Sequence, residues 1–394
     1  MTKKVYEGLR VLDFTANVAG PICTGFLADF GAEVIKVERP KVGDDLRGYS
    51  PQVNGVSVMF EYPNRGKKSL EIDMKDPEGR EIITKLLETT DVLVENFRPG
   101  TLKKFGFSYD DVIKIKPDIV YCAISSFGAE GELSQLPGFD LSAQALSGFI
   151  DMTGFPDQAP IKGGFVLGDY AAGNAGYAAI ATALYHRERT GEGQFIDIST
   201  LDSLLAQNGQ LEVAGMGYEV TRTGNHHASL CPFGIYTGKN NQSLIITAPN
   251  QGLWKKLSEA MGHPEYVDDE RFVSMVSRRE NIDDVTNVIE TWLSTFENID
   301  DAKDILMEHN VPCTKIVSTY EITQTKTNWD RGNIIRLESD MSEDGIISRG
   351  PHLRLTKTPP VLSKAPSLGE HSVELLTELG YSSDEISRLT EKWS

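Results

Sequence analysis

Short apolar segments alternate with helical segments along the first half of the chain, and this alternation constrains the fold more than any other feature. We predict strands at residues 10–14, 33–38, 69–73, 91–95, 119–125 and 195–198. Strands separated by helices favour a parallel sheet with helices on both faces. Phe14, Glu38 and Asn96 lie near carboxyl ends of such strands, where ligands of parallel sheets gather. The sequence therefore predicts an α/β domain with a ligand site at that edge.

A second unit is expected beyond this sheet, because 394 residues exceed one ordinary core. A strand at 244–246 and polar helices at 251–261, 282–295 and 301–309 indicate a smaller α+β domain. From about residue 326 the sequence is strand-poor and proline-rich, which is typical of a long return connection. The predicted organisation is a large Rossmann-like domain 1–205, a linker 206–225, a small domain 226–325, a return linker 326–371 and a C-terminal segment 372–394 that completes the large domain.

The composition excludes several classes of partner. The formal net charge of −18 argues against nucleic acid and anionic membranes. The four cysteines are widely separated and form no CxxC or Cys/His metal spacing, so we expect reduced thiols and no metal. Residues 1–7 lack the apolar core of a signal peptide, and no apolar run approaches the length of a membrane helix. We therefore expect a cytoplasmic protein.

One helix combines a carboxylate with small residues. The segment GDYAAGNAGY at 168–177 is preceded by apolar residues and followed by an apolar helical stretch that ends in basic residues and Gly191. Asp169 is predicted at or near the helix N-cap, where backbone N–H groups stabilise negative charge. Small neighbours are predicted to leave room for another molecule, which would make Asp169 a plausible nucleophile. The local pattern alone favours the alternative that Asp169 is only a cap.

Common nucleotide and hydrolase motifs are missing. The chain has no GxGxxG loop after its first strand, no GxxxxGK[ST], no HExxH and no GxSxG. Dinucleotide oxidoreductases, P-loop ATPases, metalloproteases and serine hydrolases are therefore disfavoured.

Several segments recur in a fixed order over nearly the whole chain: GLRVLDF (8–14), AGP (19–21), LADFGAEVIKVERP (27–40), NRGKKSL (64–70), ENFRPG (95–100), LGEH (368–371) and LGY (379–381). Together they resemble the class III coenzyme A transferases, the formyl-CoA and carnitine-CoA transferase family of the CaiB/BaiF type. The resemblance implies that Asp169 forms a covalent acyl intermediate. It also implies an interlocked ring-like homodimer, acyl-CoA and carboxylic acid substrates, and CoA thioester as co-substrate with no permanently bound cofactor.

The resemblance also implies a CoA site. Positions that match it are the cations Arg39, Lys75, Arg98 and Lys104, and the nucleotide neighbours Ile72, Asp73, Met74, Asn96 and Phe97. Val18 and Ala19 match the loop that faces the thioester, and Phe139 and Asp140 are also assigned to the site. Arginine and lysine suit the phosphates of CoA. Taken singly, each cation is more often a solvated surface charge, and Phe97 could equally be a core residue.

The residue at position 139 and the tetraglycine loop distinguish subgroups of enzymes that share this fold. Related α-methylacyl-CoA racemases have a histidine where Phe139 stands, and phenylalanine cannot exchange a proton, which favours a transferase. Asp140 is either a supporting hydrogen-bonding group or a helix cap, and we favour the cap. The tetraglycine loop of formyl-CoA members is missing, which argues against formyl or oxalate substrates.

We therefore expect a CoA transferase that moves CoA from an acyl-CoA to a carboxylic acid through an aspartyl–acyl mixed anhydride. The alternatives are an acyl-CoA racemase or isomerase of the same fold, and a non-catalytic CoA-binding protein in which Asp169 is only a cap.

Overall fold

The computed structural model describes residues 4–393. The strands are β1 Arg10–Asp13, β2 Glu33–Glu38, β3 Gln52–Val53, β4 Val56–Ser57, β5 Lys68–Glu71, β6 Val92–Glu95, β7 Val120–Ser125, β8 Gln194–Ser199, β9 Phe233–Thr237, β10 Ser243–Thr247, β11 Cys313–Lys315, β12 Ile334–Ser339 and β13 Ser342–Arg349.

The α-helices are α1 Ala19–Asp29, α2 Val58–Asn64, α3 Pro77–Leu87, α4 Tyr109–Val112, α5 Asp140–Leu146, α6 Phe149–Met152, α7 Leu167–Thr190, α8 Thr200–Leu205, α9 Leu211–Gly215, α10 Gln251–Ala260, α11 Met275–Glu280, α12 Ile282–Leu293, α13 Ile299–Glu308, α14 Thr319–Gln324, α15 Lys326–Asp330, α16 Ser372–Glu378 and α17 Ser383–Trp393. Short 3₁₀ helices lie at Asp45–Gly48, Leu102–Phe105, Lys239–Asn241 and Pro264–Val267.

Six strands form a parallel sheet in the order β5-β2-β1-β6-β7-β8. The α/β prediction with a parallel sheet is confirmed. Strand β1 has β2, the next strand of the sheet in sequence, on one side and β6 on the other. The strand order therefore reverses between β1 and β6, and ligands of open α/β sheets bind in the crevice outside such a point.

Each face of the sheet carries its own apolar core, because successive residues of a buried strand point to opposite faces. Leu12, Ile35 and Leu93 face a core that includes Leu375 of α16 and Leu389 of α17. The opposite face is covered by α1 and α7, and its core residues include Val11, Val34, Val92, Cys23, Leu27, Ala172 and Ile180.

The chain divides into two compact units. The first comprises the described parts of Met1–Phe149, Lys162–Leu211 and Lys326–Ser394, and the second comprises Ile150–Ile161 and Glu212–Thr325. The second unit has an antiparallel sheet of order β11-β10-β9. Its core includes Trp254, Leu257, Ile289 and Leu306.

The segment after residue 326, predicted to be strand-poor, contains an antiparallel hairpin of β12 and β13, so that prediction is wrong. Ile334 and Leu337 are buried there, and Ile346 pairs with Leu337 across the hairpin. The acidic and serine-rich stretch 338–344 interrupts the apolar alternation that would reveal a strand from sequence.

Candidate active site

The parallel sheet brings most of the predicted site residues to one edge. Val18 and Ala19 follow β1, Arg39 follows β2, and the segment 72–75 follows β5. Residues 96–98 follow β6, and Lys104 lies in the next 3₁₀ helix. Because the carboxyl ends of parallel strands share an edge, these loops lie on the same side of the sheet.

Asp169 is the third residue of α7, and the N-cap position is held by Val166, whose side chain makes no capping bond. The helix is instead capped from α5. Oδ1 of Asp140 accepts hydrogen bonds from the backbone N–H groups of Gly168 at 2.7 Å and Asp169 at 3.1 Å. Asp140 therefore caps α7 and not its own helix, whose N-cap is Phe139.

A buried amide fixes the capping carboxylate. Nε2 of Gln144 donates to Oδ2 of Asp140 at 2.6 Å, and Oε1 of Gln144 accepts from the N–H of Gly163 at 3.0 Å. Gln144 and Asp140 are both buried. The carboxylate beside Asp169 is therefore held in place by α5 and by the segment that leads into α7.

The carboxylate of Asp169 is partly buried and has no hydrogen-bond or ion-pair partner among residues 4–393. Burial raises its pKa to about 7, and the neighbouring negative charge of Asp140 adds to the rise. A perturbed carboxyl group without a structural partner is a candidate for chemistry.

The glycines of α7 make room for the protein itself and not for a ligand, contrary to the prediction. A Cβ added at Gly173 would lie 2.8 Å from the carbonyl oxygen of Ala19, and one at Gly168 would lie 2.6 Å from Cγ2 of Thr200. Asp169 lies four residues before Gly173 and thus on the same face of the helix. The close packing of α1 on α7 therefore places the start of α1 beside the turn that carries Asp169.

The loop between β1 and α1 is held by side chains on three other strands or loops. Asn96 accepts from the N–H of Ala16 at 2.8 Å and donates to its carbonyl at 2.7 Å. Nζ of Lys36 donates to the carbonyl of Thr15 at 2.6 Å, and Oδ1 of Asp44 accepts from the N–H of Asn17 at 3.0 Å. The amide of Asn96, predicted to meet a nucleotide, is thus engaged in positioning the loop that precedes Val18.

Lys36 and Asp44 form a buried ion pair of 2.9 Å, and sequence reasoning missed both residues. The available signal was the position of Lys36 between the apolar residues Ile35 and Val37 of β2. Lys67 was missed as well. Its Nζ contacts Oδ2 of Asp13 at 2.9 Å and the carbonyl of Pro21 at 3.1 Å, and burial lowers its pKa to about 8.

The predicted CoA cations are exposed at this edge. Arg39 binds Asp45 and donates to the carbonyl of Gly43 at 3.1 and 3.2 Å. Lys75, Arg98 and Lys104 are exposed side chains. The structure gives all four access to solvent, as a phosphate-binding role requires.

The other predicted contacts divide into buried and accessible groups. Ile72 is buried, and Met74 and Phe97 pack against the same core, whereas Oδ1 of Asp73 accepts from the N–H of Lys75 at 2.9 Å. Phe97 also lines a cavity of about 580 Å³. Phe139 is 78% exposed, immediately before α5.

Residues 4–393 contain no group of three or more His, Cys, Asp or Glu side chains that could hold a metal ion. Within the same range, no helix has both the length and the apolar character needed to span a membrane.

Comparison with known proteins assigns the chain to a family. The sequence model of CoA-transferase family III matches residues 6–372. The chain is 34% identical to an acetyl-CoA:oxalate CoA-transferase of Acetobacter aceti, covering 95% of this chain and 96% of the relative. It is 36% identical to a succinyl-CoA:mesaconate CoA-transferase of Haloarcula hispanica, with the same coverage.

A solved structure supports the same assignment. A CaiB/BaiF family protein from Brucella suis superposes with a TM-score of 0.87 at 32% identity, covering 96% of this chain and 100% of that one. The sequence match extends over nearly the whole chain, and the fold is shared. The chain therefore belongs to CoA-transferase family III and is an enzyme that transfers CoA between an acyl-CoA and an acid.

Proposed function

We propose that this enzyme transfers CoA to a dicarboxylic acid through a mixed anhydride on Asp169. The observation that carries the proposal is the partly buried carboxylate of Asp169, which has no partner among residues 4–393. It lies beside the loop at the carboxyl end of β1. Such a carboxylate, once ionised, is a suitable nucleophile toward a thioester.

Asp169 first attacks the thioester carbonyl of the donor, the C–S bond breaks, and CoA leaves as thiolate. The thiolate then attacks the aspartyl carbonyl, releasing the donor acid and leaving an aspartyl–CoA thioester. The acceptor carboxylate attacks this thioester, expels the thiolate and forms a second anhydride. Attack of the thiolate on the acceptor acyl group yields the new acyl-CoA and ionised Asp169, so no ATP is consumed. The protein holds the groups in place and excludes water.

CoA is proposed to lie along the carboxyl edge of the sheet. The exposed cations Arg39, Lys75, Arg98 and Lys104 would bind its phosphates, since arginine and lysine form charge-assisted hydrogen bonds with phosphate oxygens. Segment 72–74 and Phe97 would border the nucleotide. Val18 and Ala19 would face the thioester. The close approach of Gly173 to the carbonyl oxygen of Ala19 supports this, because Gly173 lies about one helical turn after Asp169.

The acceptor class follows from the relatives. The names of the two relatives above specify oxalate and mesaconate, which are both dicarboxylic acids. The missing tetraglycine loop argues against oxalate itself, so we propose a longer dicarboxylic acid. We also propose that the enzyme acts as a cytoplasmic homodimer. Analytical ultracentrifugation of the purified protein tests whether it is a dimer.

Trapping of the intermediate tests the mechanism. The enzyme is incubated with succinyl-CoA and hydroxylamine, digested and mass-mapped. A hydroxamate at residue 169 in the wild-type chain, and none in Asp169→Asn, is the expected result. A hydroxamate on another residue would overturn the assignment of Asp169. Turnover of succinyl-CoA with an acid, without any labelled residue, would overturn the covalent mechanism.

A further inference from the structure

Arg349, at the end of β13, is a cation without a carboxylate partner among the described residues. Its guanidinium carbon lies 3.6 Å from the ring centroid of Tyr62, and its Nη1 donates to the hydroxyl of Tyr170. A second guanidinium, that of Arg65, lies 3.9 Å from the same Tyr62 centroid. The charge of Arg65 is balanced by a buried ion pair with Asp29, whereas the positive charge of Arg349 is exposed and uncompensated.

This cation is connected to the candidate active site in two ways. Tyr170, its hydrogen-bond partner, directly follows Asp169 in the first turns of α7. Tyr170 and Val18 both pack against the apolar cluster formed by Ile22, Phe26 and Tyr62. The guanidinium therefore lies at the margin of the cluster that joins the start of α7 to the loop before α1.

The surroundings hold the guanidinium in position. Stacking on an aromatic ring restrains an arginine side chain and leaves its N–H edge available to an anion. Three residues further along, the ring of His352 contacts the ring of Phe26, with centroids 4.9 Å apart, which anchors the segment that follows β13. The hydroxyl of Tyr170 accepts from Arg349, so its own proton remains available to an acceptor. Arg349 and Tyr170 thus present donors suited to a carboxylate.

We propose that Arg349 and Tyr170 bind the second carboxylate of a dicarboxylic substrate while its first carboxylate reacts at Asp169. The proposal rests on the proposed function and specifies which part of the chain selects a dicarboxylic acid. An uncompensated arginine matters in a chain of net charge −18, because the overall field repels a dianionic acid.

The test compares succinate with butyrate, which has the same carbon number and lacks the second carboxylate, as acceptors with one acyl-CoA donor. For Arg349→Met, KM for succinate should rise roughly 10- to 100-fold, since charge-assisted hydrogen bonds to a carboxylate contribute that range. KM for butyrate should stay within about 2-fold of wild type. Tyr170→Phe keeps the ring and removes only the hydroxyl, so it should raise KM for succinate by a smaller factor than Arg349→Met does.

Arg336→Met is the matched control. Arg336 lies on β12 of the same hairpin and is exposed; within residues 4–393 it donates only to the carbonyls of Asp344 and Gly345, at 3.2 and 3.4 Å. The Arg336→Met substitution also removes one positive charge and should leave the KM values for succinate and butyrate unchanged. Loss of activity toward both acids in Tyr170→Phe, with an unchanged thermal midpoint, would contradict the proposal.

Other outcomes separate this inference from the proposed function. Equal effects of Arg349→Met on succinate and butyrate, or a wild-type enzyme that prefers butyrate, would overturn the role of Arg349. Weaker binding of free CoA to Arg349→Met in calorimetry would show that the anion is a CoA phosphate, which also overturns it. In each case a hydroxamate at residue 169 would leave the mechanism standing, whereas absence of that label would overturn the mechanism itself.

Discussion

The backbone N–H of Asp169 donates a 3.1 Å hydrogen bond to Oδ1 of Asp140, so two carboxyl groups lie close together at the start of α7. One of them is buried and bonded to Gln144, and the other has no partner among the described residues. The arrangement caps the helix and at the same time disfavours ionisation of Asp169. Its consequence is a carboxyl group whose pKa is about 7, so that it ionises near neutral pH.

The first prediction concerns pH. Because burial and then Asp140 raise the pKa of Asp169 to about 7, the carboxyl is protonated and unreactive below that pH. The value of kcat/KM for acyl-CoA should therefore rise with pH through about 7. Asp140→Asn removes one of the two causes of the raised pKa of Asp169, so the rise of kcat/KM with pH should occur at lower pH. Burial should still keep the pKa of Asp169 above its ordinary value.

Asp157→Asn is the control for this measurement, since Asp157 is an exposed carboxylate of the second unit. It should leave the pH profile unchanged. An acid limb that stays in place in Asp140→Asn would show that Asp140 does not influence the reacting group.

The second prediction concerns whether Asp169 reacts as a nucleophile or only caps α7. Asp169→Asn should lower turnover by roughly 10³-fold or more, as loss of a nucleophile does. The fold should be retained, because the cap of α7 is supplied by Asp140 and not by Asp169. Circular dichroism melting and steady-state assays check both points, with deamidation back to Asp excluded by mass. Full turnover from the mass-verified Asp169→Asn protein would disprove the mechanism.

The parallel sheet was predictable because its strands are short apolar segments, such as residues 92–94, that alternate with helical segments. The cap of α7 was not, because Asp140 acts on a backbone N–H 28 residues away. The same limit applies to Arg349, which meets Tyr170 across 179 residues. The glycines of α7 were visible, but only the packing of α1 shows what occupies the space beside them. Contacts between distant segments are set by tertiary packing, which local periodicity does not encode.

The third prediction concerns the loop between β1 and α1. Asn96→Ala leaves the N–H and carbonyl of Ala16 without their partner, at a cost of about 1–3 kcal/mol in the free energy of unfolding. If the loop faces the thioester, KM for acyl-CoA should rise as well. Urea denaturation and kinetics measure the two effects. A loss of stability with an unchanged KM for acyl-CoA would show that the loop does not contact the substrate.

The fourth prediction compares two glycines of α7. Replacing either by Ala gains about 1 kcal/mol of helix propensity. At Gly173 the new Cβ would lie 2.8 Å from the backbone oxygen of Ala19, so α1 must move, and we expect a net loss of about 1–3 kcal/mol together with reduced activity.

At Gly176 the neighbours are the ends of side chains, Cδ1 of Ile124 at 3.0 Å and Sγ of Cys23 at 3.1 Å, which can shift. Gly176→Ala should therefore be close to neutral. Equal thermal midpoints for the Gly173→Ala and Gly176→Ala proteins would contradict the role assigned to the close approach of α1.

The last prediction separates the transferase from a racemase of the same fold. Racemisation at an α-carbon needs two acid–base groups, and the position that matches the racemase histidine holds Phe139, whose exposed ring cannot carry a proton. In D₂O with a chiral 2-methylacyl-CoA alone, the enzyme should leave the α-proton in place, as followed by NMR. Addition of succinate should instead produce succinyl-CoA. Rapid α-deuteration without an acceptor acid would mean that another side chain supplies the missing base, and the assignment of the reaction would then have to change.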